Sequence, residues 1–143
     1  MPPQSGSAAP APQLRFLVVD DYEDIRDVFS RFVERAGHLA RTANDGQHAV
    51  EILQQESFDV MLLDLTMPRL DGAGVVRWLS AHPGVAPSMR TVMVTAWAVE
   101  NDDLLKDLGV GTVLRKPVRL KDLDLLIEQA VRDRLAEDSP MSR

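Results

Sequence analysis

The sequence predicts an α/β fold, a doubly wound parallel sheet of five strands alternating with five helices. Three observations carry this. Short, strongly apolar runs recur at residues 14–19, 58–63 and 91–94, as in strands buried on both faces. Between them lie stretches whose apolar residues repeat at helical spacing. The two patterns alternate strictly, which implies parallel strands joined by right-handed crossovers, with helices on both sheet faces.

Residues 1–13 precede the pattern. They hold four prolines and no charged side chain, and are expected to form a disordered Pro/Ala-rich tail. The first strand, 14–19, leads to a helix with Ile25, Val28, Phe29, Phe32 and Val33 on one face, closed by Gly37 at the C′ position. A weaker strand over 39–43 precedes a helix that starts near Asn44 or Asp45 and turns Ala49, Ile52 and Leu53 inward. The third strand is 58–63. After the loop 67–72, Val75, Val76 and Leu79 mark a helix ended by His82-Pro83-Gly84. The fourth strand, 91–94, is followed by a more polar helix opened by Glu100, Asn101, Asp102 and Asp103, an acid-rich start that suits a helix N-terminus. Residues 112–114 form the short fifth strand. The last helix carries Leu120, Leu123, Ile127 and Val131 on one side. The domain is expected over 14–136, with 137–143 a second disordered tail.

The 143 residues suit one domain. With 45% hydrophobic and 27% charged residues the chain has the composition of a globular protein. It has no cysteine, which excludes disulfides, thiolate zinc sites and cysteine nucleophiles. A net charge of −6 argues against direct nucleic-acid contact, which calls for a basic stripe. No run approaches the ~18–20 apolar residues of a membrane span. The first residues lack the basic and apolar regions of a signal peptide. A cytoplasmic protein is expected.

In open parallel sheets, ligands bind beyond the carboxyl ends of the strands. Asp20 and Asp21 follow the first strand, Asp64 the third, Thr95 ends the fourth, and Lys116 lies just past the fifth. Taken singly, each has an ordinary reading: a cap, a turn residue, a β-former, a solvated lysine. Together they occupy the same edge of the sheet. Two carboxylates ~4 Å apart repel by about 4 kcal/mol at an effective dielectric of ~20, so three in one pocket call for a cation. Hard oxygen ligands suit Mg²⁺, and a metal pocket with a lysine and a hydroxyl at its rim suits a phosphoryl group.

These residues, within Val18-Val19-Asp20-Asp21, Leu63-Asp64-Leu65-Thr66-Met67-Pro68 with Asp71-Gly72, Val94-Thr95-Ala96 and Arg115-Lys116-Pro117, resemble the receiver domain of two-component response regulators. The resemblance spans residues 14 to 135. It implies a flavodoxin-like sheet of strand order 2-1-3-4-5. It further implies that Asp64 accepts a phosphoryl group from a histidine kinase or phosphotransfer protein. Asp21, Asp64 and the backbone carbonyl of Thr66 would ligate Mg²⁺, with Asp20 acting through a water. Lys116 and Thr95 would bind phosphoryl oxygens, and Lys116-Pro117 would be cis. A downstream protein target would dock on the face of the fourth helix, fifth strand and fifth helix.

Two positions depart from the family pattern or vary within it. Val113 stands where the family usually has Tyr or Phe, three residues before the lysine, and Trp97 is a candidate substitute. Thr66, beside the phosphoryl site, is a candidate tuner of phosphate lifetime. His38, His48 and His82 share no ligand spacing and read as structural or surface residues. Met61, Met93 and Trp78 read as packing, and Lys121, Arg132 and Arg134 as a solvated face. Few residues follow the fifth helix, so a stand-alone signalling module, rather than an enzyme, is expected, the alternative being a fragment of a hybrid kinase or a longer regulator. The rival readings are a constitutive binding module with a vestigial pocket and a Mg²⁺-dependent aspartyl phosphatase. The latter lacks the second carboxylate two residues after Asp64. Flavin binding is disfavoured by the acidic loop 20–24, where a phosphate cradle would be rich in Gly, Ser or Thr.

Overall fold

The computed structural model describes residues 12–67, 69–96, 106 and 110–138. Five parallel strands form one sheet: β1 (Arg15–Val19), β2 (Leu39–Ala43), β3 (Val60–Asp64), β4 (Arg90–Thr95) and β5 (Thr112–Arg115), in the order β2-β1-β3-β4-β5. The described helices are α1 (Glu23–Arg35), α2 (Gly46–Leu53), α3 (Gly72–Ala81) and the terminal helix, here α4 (Leu120–Asp138). Of the helix expected between β4 and β5 only Lys106, which is helical, is described; the rest lies outside the described residues, as do Trp97 and the start of the expected N-terminal tail. Among the described residues no helix is long and apolar enough to cross a membrane.

Side chains alternate across a strand, and here the alternation feeds two cores. Leu17, Val19, Met61, Leu63 and Met93 point to the layer of α2 and α3, where they meet Ile52, Leu53, Val75 and Val76. Phe16, Val18, Val60, Leu62, Val92 and Val94 point to the other layer and meet Phe29 and Val33 of α1 and Leu123, Leu126, Ile127 and Ala130 of α4. Burial on both faces is why β1, β3 and β4 read as continuous apolar runs. Strand β2 is weak in sequence because it is an edge strand on which only Ala43 is fully buried.

Several expectations shift. Strand β3 begins at Val60 rather than residue 58, because the Asp59 carboxylate accepts the Arg15 amide at 2.8 Å and Phe58 lies under the Arg15 guanidinium, 5.0 Å from its ring centre. Val28 is 49% exposed, so the inward face of α1 is carried by Phe29 and Val33. On α4 the buried seam is Leu123, Leu126, Ile127 and Ala130, with Leu120 at the open end of the helix half exposed. Arg134 is not simply solvated: it pairs with Asp59, and Arg90 pairs with Asp133. These two ion pairs fasten the far end of α4 to the amino edge of the sheet.

Other expectations are met. Gly37 takes φ +97° after α1, a conformation that favours glycine. Asp45 and Asp71 cap α2 and α3 by accepting the His48 and Gly74 amides, each at 2.8 Å. His38 is structural: its buried Nδ1 accepts the Leu14 amide at 3.0 Å, and burial lowers its pKa. Trp78 is half-buried and stacks on His82 with ring centres 4.2 Å apart.

The loop between β3 and α3 is held against its neighbours by close backbone approach. A Cβ at Gly72 would lie 2.5 Å from the carbonyl oxygen of Asp64. The Gly46 amide donates to the Leu70 carbonyl at 3.1 Å, and Arg69 pairs with the buried Asp45. Gly72→Ala should therefore lower unfolding stability in urea by about 1–3 kcal/mol, the usual cost of overpacking. Gly84→Ala, where an added Cβ meets no atom within 4 Å, should leave it nearly unchanged. Equal stabilities for the two variants would contradict this packing.

Candidate acidic site at the carboxyl edge of the sheet

The sheet order makes β1 and β3 neighbours, with Val19 paired to Leu63. The residues that follow those partners, Asp20 and Asp64, therefore emerge side by side. The Asp20 amide continues the ladder by donating to the Ala43 carbonyl at 3.2 Å. Its Oδ1 accepts the Tyr22 amide at 2.9 Å, and Arg26 donates to its carbonyl at 2.7 Å. Asp64 is the last residue of β3, paired with Val94, and its Oδ1 accepts the Thr66 amide at 3.4 Å. One carboxylate oxygen from each of Asp20, Asp21 and Asp64 lies within 4.8 Å of the others. Asp20 and Asp64 are buried and Asp21 is exposed, so the cluster opens to solvent on one side.

Lys116 closes the other side. Its Nζ lies 3.1 Å from Asp20 Oδ2 and 3.4 Å from Asp64 Oδ1. Its amide donates to the Thr95 carbonyl at 2.8 Å, and the Lys116-Pro117 bond is cis. Thr95 is buried at the end of β4. Each expected site residue thus stands at the same edge.

The ordinary readings hold only in part: Thr95 is a strand residue and Asp64 Oδ1 accepts the Thr66 amide as a turn residue does, but neither reading accounts for the cluster. The α1 N-cap is Tyr22, with no side-chain cap, so neither Asp20 nor Asp21 serves there. The cap of α3 is Asp71, not Asp64. Lys116 is mostly buried. Thr66 is exposed beside the cluster. The histidines take no part. Sequence reasoning missed Arg26, whose only signal is its place on the first turn after Asp20. It also missed the role of Gly72, foreshadowed only by an Asp-Gly pair opening a helix.

Among the described residues charge is unbalanced in the pocket, with three carboxylates facing the Lys116 ammonium. Burial, then the neighbouring Asp20 charge, pushes the Asp64 carboxyl up to about 6, against the opposing pull of Lys116 and the Thr66 amide. For Lys116, burial disfavours the charged form, but Asp64 and Asp20 outweigh it and raise the pKa. The hard oxygen donors and the excess negative charge together fit a small divalent cation.

Comparison with known proteins agrees with this arrangement. Residues 16–128 match the family described as the response regulator receiver domain. A probable transcriptional regulator, ycf27, of Guillardia theta is 32% identical over 119 residues, 82% of this chain and 45% of that protein. The transcriptional regulatory protein GltR of Pseudomonas aeruginosa is 31% identical over 81% of this chain and 48% of its own length. The chain spans about half the length of these curated relatives. Among solved structures, a CheY-like receiver domain protein of Methanospirillum hungatei superposes with TM-score 0.76 at 26% identity, covering 88% of this chain and 99% of that one. The chemotaxis protein CheY4 of Vibrio cholerae does so with TM-score 0.76 at 27% identity, covering 83% and 99%. With its strand order, its acidic edge and this match over most of its length, the chain belongs to the response regulator receiver domain family.

Proposed function

We propose that this protein is a phosphoacceptor switch in which Asp64 takes a phosphoryl group from a phosphohistidine on a histidine kinase or phosphotransfer protein. The observation that carries this is the contact of one lysine ammonium with two buried carboxylates, one of them the residue that ends β3. An Asp64 carboxylate oxygen attacks phosphorus, the O–P bond forms as the N–P bond breaks, and the imidazole leaves with the electron pair. Asp21, Asp64 and the Thr66 carbonyl, with Asp20 acting through a water, would hold Mg²⁺, which would supply positive charge to offset the cluster and the incoming anion.

Lys116 sits beside the acceptor oxygen and provides donors to the phosphoryl oxygens that arrive there. Thr95 provides a hydroxyl from the end of β4. The acyl phosphate adds about −1.5 to −2 units of charge next to the ends of β4 and β5, so the response is expected on the face of β5, the adjoining helices and the protein that docks there. The chain acts through binding rather than turnover of an external substrate, and within the cytoplasm. Val113, 38% exposed where the family usually has an aromatic ring, favours one second reading, a constitutive binding module with an inert pocket.

Two outcomes separate these readings. With Mg²⁺ and a small acyl-phosphate donor, or a phosphorylated histidine kinase, intact mass should rise by one phosphoryl group. The gain should vanish with EDTA and in Asp64→Asn. Labelling that persists in Asp64→Asn contradicts the acceptor assignment, and failure with both donors favours the inert module.

The second outcome follows from charge. The native Asp64 carboxyl titrates near 6 against an ordinary value of 3.8, so between those values the folded state binds more protons than the unfolded state. Stability without metal then falls as pH rises through that window. Asp64→Asn should be more stable than the natural chain at pH 8, by at most about 3 kcal/mol, and the gap should close toward pH 4. Urea unfolding at several pH values in EDTA measures this, and a gap that widens in acid contradicts it.

A further inference from the structure

Between the end of α1 and the terminal helix α4 runs a groove of about 700 Å³. Its apolar lining comes from Ala36 on one side and Ile127 and Val131 on the other, with Pro12 among them. Gly37 keeps it open, since a Cβ there would meet no atom within 4 Å. His38, only 7% exposed, also lines it. The ring Nδ1 of His38 accepts the Leu14 amide at 3.0 Å, and burial lowers its pKa. The neutral ring therefore carries its proton on Nε2. Among the described residues nothing accepts that proton, and the ring's other neighbour is Phe16, with centres 5.7 Å apart. A buried donor without an acceptor costs stability and calls for a partner.

The groove thus asks for small apolar side chains and a carbonyl oxygen. A polyproline II strand offers both, because it has no internal hydrogen bonds and leaves every carbonyl available. The rim carries Asp124 and Glu128 against Arg132, so it repels an acidic occupant.

The chain itself supplies a matching segment. Residues 1–11 lie outside the described residues and lead directly into Pro12, which already lines the groove. The next residue, Gln13, donates from Nε2 to the Gly37 carbonyl at 3.4 Å, so the chain runs beside the end of α1. Ala8-Ala9-Pro10-Ala11 has small side chains and no charge. Its proline opposes a helix but suits polyproline II. At ~3.1 Å per residue those four residues extend about 12 Å. Asp124 and Arg132 are also about 12 Å apart along α4, at ~1.5 Å per residue.

We propose that residues 8–11 dock within their own chain as a polyproline II strand in the groove between the end of α1 and α4, where one of their carbonyl oxygens accepts the His38 Nε2 proton. The segment straps the two helices together from outside. The inference does not depend on the phosphoacceptor reading, since none of these residues belongs to the acidic pocket.

Paramagnetic NMR of the full chain tests it. The chain has no cysteine, so Ser7→Cys places a spin label at one site. In dilute solution the label should broaden the amides of Ala36, Gly37, Ile127 and Val131. It should leave Gly46 and Ala73, in the opposite helix layer, sharp. Adding Ala8→Asp and Ala9→Asp brings acids to an acidic rim and should abolish that selective broadening. The His38 Nε2 proton should exchange slowly with water in the natural chain and rapidly in Ala8→Asp/Ala9→Asp.

Broadening that is absent from the groove, or equal in both helix layers, would overturn the proposal. So would an Nε2 proton that exchanges at the same rate in both chains. Equal broadening of an isotope-labelled natural chain mixed with the spin-labelled one would overturn it as well, because the segment would then come from a second copy.

Discussion

The contact between Lys116 and the paired carboxylates of Asp20 and Asp64 is the constraint around which this molecule is arranged. Three acids gathered at one sheet edge are unfavourable by simple electrostatics, and a single ammonium compensates only in part. The fold tolerates the arrangement because rigid strands impose it. β1 and β3 must be neighbours for Asp20 and Asp64 to meet, and a lysine that follows β5, three strand spacings or about 14 Å from β1, must be folded back by its loop to reach both. The two apolar cores hold those strands in register, and the charge imbalance survives as a pocket suited to a cation and an anion together.

The surroundings of Asp64 make the same point from the backbone. Gly72 packs on its carbonyl, the Leu65 amide is bound to the Val94 carbonyl at 3.0 Å, and Arg69 ties the following loop to Asp45. The acidic residue that ends β3 is thus supported on a fixed platform. Its neighbour Asp21 is exposed and supported less. That difference suits a site in which one carboxylate reacts while another adapts to a ligand.

Much of this was readable in sequence because strands buried on both faces leave an unmistakable apolar run, and because the acids and the lysine stand directly at the ends of such runs. What was not readable depended on contacts between distant residues. Nothing local distinguishes Val28 from Phe29, and only the packing of α1 on the sheet leaves one outside and the other in. The start of β3 was misplaced because Phe58 is apolar, yet its ring serves as a platform for Arg15 and Asp59 turns to cap a neighbouring strand. Arg134 resembled any helix-surface base until the fold brought Asp59 beneath it. At the acidic site the acids were evident, whereas the supporting contacts of Arg26 and Gly72 arise from the way α1 and α3 leave the sheet.

The central proposal is electrostatic: the pocket holds more negative charge than its lysine can offset, so that a divalent cation would complete it. Carbon-13 NMR of the aspartate carboxyl groups, with Asp64 assigned through Asp64→Asn, measures this directly. The account predicts a midpoint for Asp64 near 6 without metal and a clear fall when Mg²⁺ saturates the site. A midpoint at the ordinary value of 3.8, unmoved by Mg²⁺, would contradict it.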